Sequence, residues 1–185
     1  MEHNVLIAGF GGQGILFFGK LLAYSGMLEG KEVTWFPSYG AEVRGGTANC
    51  TVIISDEMIG SPIVGNPEIL VVMNEASLNK FQPRLKKEGL LIFDSSLIKN
   101  PELRPDIHTV EVPASELAAS IGNTKSANMI MLSSMLAISG IIKEESALKA
   151  LEELTPSKRI KSLDANKEAI AKGRKYIEDK KSKNI

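Results

Sequence analysis

The residues best suited to chemistry fall in two short stretches of this 185-residue chain. "AGFGGQGIL" puts glycines at Gly9, Gly11 and Gly14, the spacing of a dinucleotide-binding turn. Glycines let the backbone approach an anion closely, and the free N–H groups of a following helix point at it. The helix dipole contributes about 0.3–1 kcal/mol to an exposed anion and up to about 2 when the site is partly buried. The same glycines also let a strand turn sharply into a helix that packs on its sheet. The turn alone therefore does not choose between binding and architecture. Gln13, inside it, can hydrogen-bond a ligand or a partner backbone, or brace the turn itself.

The second strand discriminates between these uses. A dinucleotide enzyme needs a carboxylate there, about 20 residues past the glycines, to hold the ribose hydroxyls. In "EVTWFPSYGAEVRGG" the strand ends at Trp35, Phe36, Pro37 and Ser38 with no acid in that place, and Glu32 stands at its start. The NAD fingerprint is incomplete.

The other stretch is "PSYGAEVRGGTAN", Pro37 to Asn49. It joins a rigid start, a tyrosine, an acid, an arginine and three glycines just past a strand end, where open α/β sheets place their ligands. Ser38 and Tyr39 are hydrogen-bond donors, Arg44 can grip a phosphate or carboxylate, and Gly45 and Gly46 leave backbone amides accessible. If the first two strands are neighbours, this loop approaches the glycine turn. An Arg44–Glu42 or interchain ion pair that shapes a long loop is the competing reading, and the two stand side by side. Irregular loops of about 12 residues are usually functional, and an interface is a function.

Other reactive groups are sparse. His3 lies at the terminus and His108 in a strand, and neither has a plausible nucleophile beside it in the pattern. Asp94, Ser95 and Ser96 follow the fifth strand and suit a helix cap better than a ligand contact. Cys50 is the single cysteine, so the chain alone forms no disulfide, no thiolate zinc site and no iron–sulfur cluster, which takes about four thiolates. No metal-ligand spacing is visible, so a redox centre would have to lie on another chain.

The elements that position these residues can be read from periodicity. "NVLIAGF" is a short apolar run ending in glycines, a strand buried on both faces. Ile15, Phe18, Leu22 and Gly26 recur at helical spacing, and Gly30 supplies a stop near Glu29. "EVTWF", "ANCTVIIS", "EILVVM", "GLLIFD" and "IHTVEV" read as five further strands, with helical pieces between some of them, such as Glu75 to Lys87. After Pro113 the pattern is helical. Ala127 to Ile142 is apolar nearly all round, which buries it in the core or against another chain, and "SAN" at Ser126–Asn128 opens it. The last helix carries only a stripe of Ile170, Gly173 and Ile177. These readings predict an α/β fold: one Rossmann-like domain over residues 1–185, a mostly parallel open sheet with helices on both faces, and a helical C-terminal third. About the last six residues, 180–185, are expected to fray.

Composition narrows the function. Hydrophobic residues make up 43% and charged residues 24%, as in an ordinary globular domain. Lys plus Arg equals Asp plus Glu at 22 each, so no overall field draws the chain to nucleic acid or an anionic membrane. No signal peptide is legible, and apolar runs fall short of the roughly 20 residues that span a bilayer. A cytoplasmic location is the expectation.

"GFGGQGI" followed by "PSYGAEVRGGTANCTVIIS" resembles the gamma subunit of 2-oxoacid:ferredoxin oxidoreductases, most closely the 2-oxoglutarate type. The likeness spans nearly the whole chain, including "SANMIMLSSMLA" and "NKEAIAKG" at Asn166–Gly173. The resemblance implies a non-catalytic Rossmann-like subunit of an assembly that converts a 2-oxoacid and coenzyme A to acyl-CoA and carbon dioxide, reducing ferredoxin. It implies alpha and beta subunits, optionally delta, that carry thiamine diphosphate and iron–sulfur clusters, with coenzyme A as co-substrate. An isolated subunit of this kind is expected to dimerise through surfaces that otherwise meet its partners. Gly11, Gly12, Gln13, Ser38, Tyr39 and Arg44 are then expected to line the coenzyme A channel or the face against the thiamine-binding subunits. Related enzymes for pyruvate, branched-chain acids or indolepyruvate remain alternatives, as does a free-standing nucleotide-binding or regulatory protein that uses the turn itself.

Overall fold

Val5, Leu6, Ile7 and Ala8 are fully buried, which a strand achieves only when both faces of its sheet are covered. They lie at the centre of a six-stranded sheet in the computed structural model, which describes residues 1–38 and 47–183. The strands are β1 (Glu2–Phe10), β2 (Glu32–Ser38), β3 (Thr47–Ser55), β4 (Ile69–Val72), β5 (Leu90–Asp94) and β6 (His108–Val112). Their order is β2-β3-β1-β4-β5-β6. β1, β4, β5 and β6 pair in parallel, while β3 runs antiparallel to both β1 and β2. Five strands therefore point one way and β3 the other, a mostly parallel sheet. The conditional expectation that β1 and β2 are neighbours fails: β3 doubles back from β2 and takes the place beside β1.

The helices are α1 (Ile15–Leu28), α2 (Glu75–Phe81), α3 (Ala114–Ser120), α4 (Ala127–Ser139), α5 (Glu144–Leu154) and α6 (Ile160–Lys183). Side-chain alternation splits the sheet into two faces. Val5, Ile7, Val52 and Ile92 face the larger core beneath α1 and α4, whereas Leu6, Ala8, Leu70 and Phe93 face a smaller one with Leu78 and Phe81 of α2. α2 stops at Phe81 rather than running to Lys87. Pro83 has no N–H to continue the ladder, the chain tightens into one 3-10 turn over Gln82–Arg84, and Leu85 is extended. Arg104 then secures that turn, donating to the carbonyls of Gln82 at 3.0 Å and Leu85 at 2.8 Å.

Every residue of α4 from Ala127 to Leu136 is buried, so its all-round apolar character belongs to the core. The stripe on α6 packs against it. A Cβ at Gly173 would stand 2.5 Å from the Ile130 carbonyl oxygen, so only glycine permits this crossing. Ser134 Oγ closes the contact by donating to Gly173 O at 3.3 Å. α6 itself continues through Lys183.

Candidate functional site

The five co-directed strands deliver their C-terminal ends to one edge of the sheet, where open α/β folds bind ligands. The glycine turn sits there after β1, with Gly12 at φ 101° and Gly14 at φ 74°, conformations that suit glycine. Gln13 is fully engaged within it. Its Oε1 accepts from Phe10 N at 2.9 Å and its Nε2 donates to Met73 O at 2.8 Å, clasping the ends of β1 and β4. Gln13 thus braces the turn across the two strand ends.

Two of the signature glycines serve the packing around that clasp. A Cβ at Gly9 would lie 2.4 Å from Gln13 Oε1, and one at Gly14 would lie 2.3 Å from Asn128 Nδ2. Asn128, near the start of α4, donates to Gly14 O at 3.2 Å and ties the turn to the second half of the fold. Gly11, Gly12 and Gln13 line a cavity of ≈ 340 Å³ with Phe10 and Leu97 at its rim. The dinucleotide reading also fails on geometry. β2 lies at the outer edge of the sheet, separated from β1 by β3, and Glu32 is opposite Ser55 at the far end of its strand.

Ser38 does reach the edge that carries the turn. It is opposite Asn49, which is opposite Ala8, so two strand spacings, about 10 Å, separate Ser38 from β1. Tyr39 and Arg44 lie outside the described residues. Asp94 is a buried cap, as its type and place predict. Its Oδ1 accepts from Ser96 N at 3.0 Å, and its Oδ2 accepts from Ser115 Oγ at 2.6 Å and Ser115 N at 3.2 Å, fixing the start of α3. His3 and His108 are at the opposite edge, beside Glu68 at 3.1 Å and Glu88 at 3.3 Å. Cys50 is buried under α1, and burial pushes its thiol up to about 12, which leaves it inert. Among the described residues no group of three His, Cys, Asp or Glu could hold a metal, and no helix is long and apolar enough to cross a membrane.

A second cleft, ≈ 560 Å³, adjoins the turn on the other side of the start of α1. The connections α3–α4 and α5–α6 form its walls, and its floor is a polar network. Ser126, 1% exposed, donates to Asn166 Oδ1 at 2.6 Å and accepts from Asn123 Nδ2. Lys125, Arg159 and Lys161 line it, and among the described residues no carboxylate does. Ser126 and Asn166 open the stretches "SANMIMLSSMLA" and "NKEAIAKG", but the cations come from segments more than thirty positions apart, and no motif or period joins them. The only sequence signal was the local basic run "SKRIK".

The fold and this edge define a Rossmann-like α/β domain whose glycine turn is locked by its own glutamine. The chain belongs to the pyruvate ferredoxin/flavodoxin oxidoreductase family, which matches residues 4–176. It is 33% identical over 186 residues to the 2-oxoglutarate synthase subunit KorC of Methanothermobacter marburgensis, covering 95% of this chain and 100% of that protein. It is 36% identical over 172 residues to the ketoisovalerate oxidoreductase subunit VorA of the same organism, covering 93% of this chain and 36% of VorA. The chain thus spans about a third of the length of its VorA relatives. The solved gamma subunit of a keto/oxoacid ferredoxin oxidoreductase from Geobacter sulfurreducens superposes with a TM-score of 0.81 at 28% identity, covering 95% of this chain and 98% of that one.

Proposed function

We propose that this chain is the non-catalytic gamma subunit of a multi-subunit 2-oxoacid:ferredoxin oxidoreductase. The assembly decarboxylates a 2-oxoacid with coenzyme A to acyl-CoA and carbon dioxide and passes the electrons to ferredoxin. Thiamine diphosphate and iron–sulfur clusters belong to the alpha, beta and, where present, delta partners. The observation that carries this reading is the match to KorC, which covers 95% of this chain and the whole of that relative. KorC and VorA are similarly close, so 2-oxoglutarate and the branched-chain 2-oxoisovalerate are the two substrates to test.

Within the assembly, Gly11, Gly12, Gln13, Ser38, Tyr39 and Arg44 line the coenzyme A channel or the face against the thiamine-binding subunits. The shared sheet edge of Gly11, Gly12 and Ser38 supports this grouping, although Gln13 contributes by holding the turn. Co-expression with the neighbouring subunits, followed by ferredoxin-reduction assays with both acids and with pyruvate, tests the proposal. The complex should form and reduce ferredoxin only when coenzyme A is present. A chain that recruits no thiamine-binding partner would instead be a free-standing module. In the complex, Arg44→Ala should raise the KM for coenzyme A several-fold if the loop serves the channel. Lost association at unchanged KM would assign it to the interface.

A further inference from the structure

The two faces of β2 and β3 are finished differently. On one, Val33 and Trp35 of β2 join Cys50, Val52 and Ile54 of β3 in the core beneath α1. On the other, the register sets Phe36, Thr51 and Leu6 side by side, between a row of Thr34, Ile53 and Asn4 and a row of Ser38, Asn49 and Ala8. α2 lies over β1 and β4 on this face and helps to bury Leu6 and Ala8, but Phe36 is 52% exposed. Chain connectivity explains the gap. A parallel crossover takes about a dozen residues or more and usually lays a helix on the sheet. Here β3 returns antiparallel to β2 after residues 39–46 alone, and residues 56–68 between β3 and β4 form no helix. Ile63, 75% exposed, extends the apolar patch, sharing a concavity with Ile53. In the row beyond Thr34, Glu32 and Glu2 flank Ser55, and among the described residues no cation pairs with either carboxylate.

We propose that this bare half-face docks a helix from another subunit of the assembly, with an apolar stripe against Phe36 and Ile63 and Lys or Arg side chains over the Glu2–Glu32 row. The identity of the partner rests on the gamma-subunit reading. Two strand spacings, about 10 Å, match the diameter of one helix, about 10–12 Å. Charge complementarity sets the orientation, because the middle rows are uncharged and both carboxylates stand at one end. A second copy is a poor occupant. Of the large apolar side chains that the described residues expose, only Met27 on α1 and Ile160 on α6 stand on helices, so no described helix offers the stripe. In VorA the matched domain is 36% of the chain, so in that relative this fold is tied by covalent continuity to a larger body.

Cys50 is buried and inert, so a thiol placed at Phe36 is a clean reporter. In full-length Phe36→Cys, a maleimide should label the free chain readily and label the complex with the thiamine-binding subunits about tenfold more slowly or less. Phe36→Asp should weaken assembly of that complex about tenfold or more, while the isolated chain melts close to the parent's temperature. Glu2→Lys with Glu32→Lys should weaken assembly by a smaller factor that shrinks as salt is added. Equal labelling of the free and assembled chains overturns the docking surface and leaves the subunit assignment intact. Undiminished assembly of Phe36→Asp does the same. Labelling of the isolated chain that slows as its own concentration rises gives the face to a second copy and overturns the choice of occupant. A parent chain that recruits no thiamine-binding subunit ends the gamma-subunit reading, and the proposed partner falls with it.

Discussion

At the start of α1, Gln13 uses both ends of its amide on the protein itself, while across the same helix end Lys125, Arg159 and Lys161 meet no described carboxylate. The first region has the recognisable motif and the second has none. The glycine turn is a joint: Gly9 and Gly14 are small because Gln13 and Asn128 stand against them, and the amide clasp ties β1 to β4. The cleft is the region with donors left over. In this chain the binding-turn spacing marks how a strand meets a helix.

Gly14→Ala should break the architectural side of this contrast hardest. Alanine at φ 74° costs about 1–2 kcal/mol, and displacing Asn128 adds overpacking of about 1–3. A loss of about 2–5 kcal/mol in urea denaturation is expected. Cys50 gives a local readout, because its Sγ lies beneath α1 within 3.6 Å of Ile15 O. Native alkylation at pH 8 should be negligible, since the thiol titrates at about 12. It should accelerate in Gly14→Ala as α1 opens more often. A variant as stable and as unreactive as the parent would mean that the glycine is there for a ligand.

Gln13→Ala comes next. It leaves the part-buried Met73 O without its partner and the exposed Phe10 N to water, a loss of about 1–2 kcal/mol. The variant should fold, with a lower urea midpoint. If its stability is untouched while coenzyme A turnover in the complex falls, Gln13 is a ligand residue and the contrast drawn here is wrong.

The sequence makes the joint legible and hides the cleft for physical reasons. "NVLIAGFGGQGIL" is local: an apolar run, glycines and a helix period lie within about a dozen residues, and backbone sterics dictate the rest. The buried helix α4 follows from an equally local pattern, whereas the helix that Asp94 helps to start, α3, lies twenty residues further on and meets it only through the fold. The place of β2 is a global property. A hairpin return by β3 and a crossover to β2's neighbour position look alike in residue pattern, and only pairing energetics across the sheet decides between them. Gln13 was ambiguous because its partner, Met73, is sixty residues away. The cleft needs Lys125, Arg159 and Asn166 brought together by the α4–α6 crossing, which no window of sequence contains.

The smallest effect expected is also the most diagnostic. Arg159→Ala with Lys161→Ala removes two exposed side chains that make no described ion pair, so unfolding free energy should change by no more than about 0.5 kcal/mol. Relief of repulsion would give any residual change a stabilising sign. The double variant should melt at or slightly above the parent's temperature. A destabilised variant would show that these cations hold the α5–α6 connection in place. The cleft would then belong with the glycine turn as architecture.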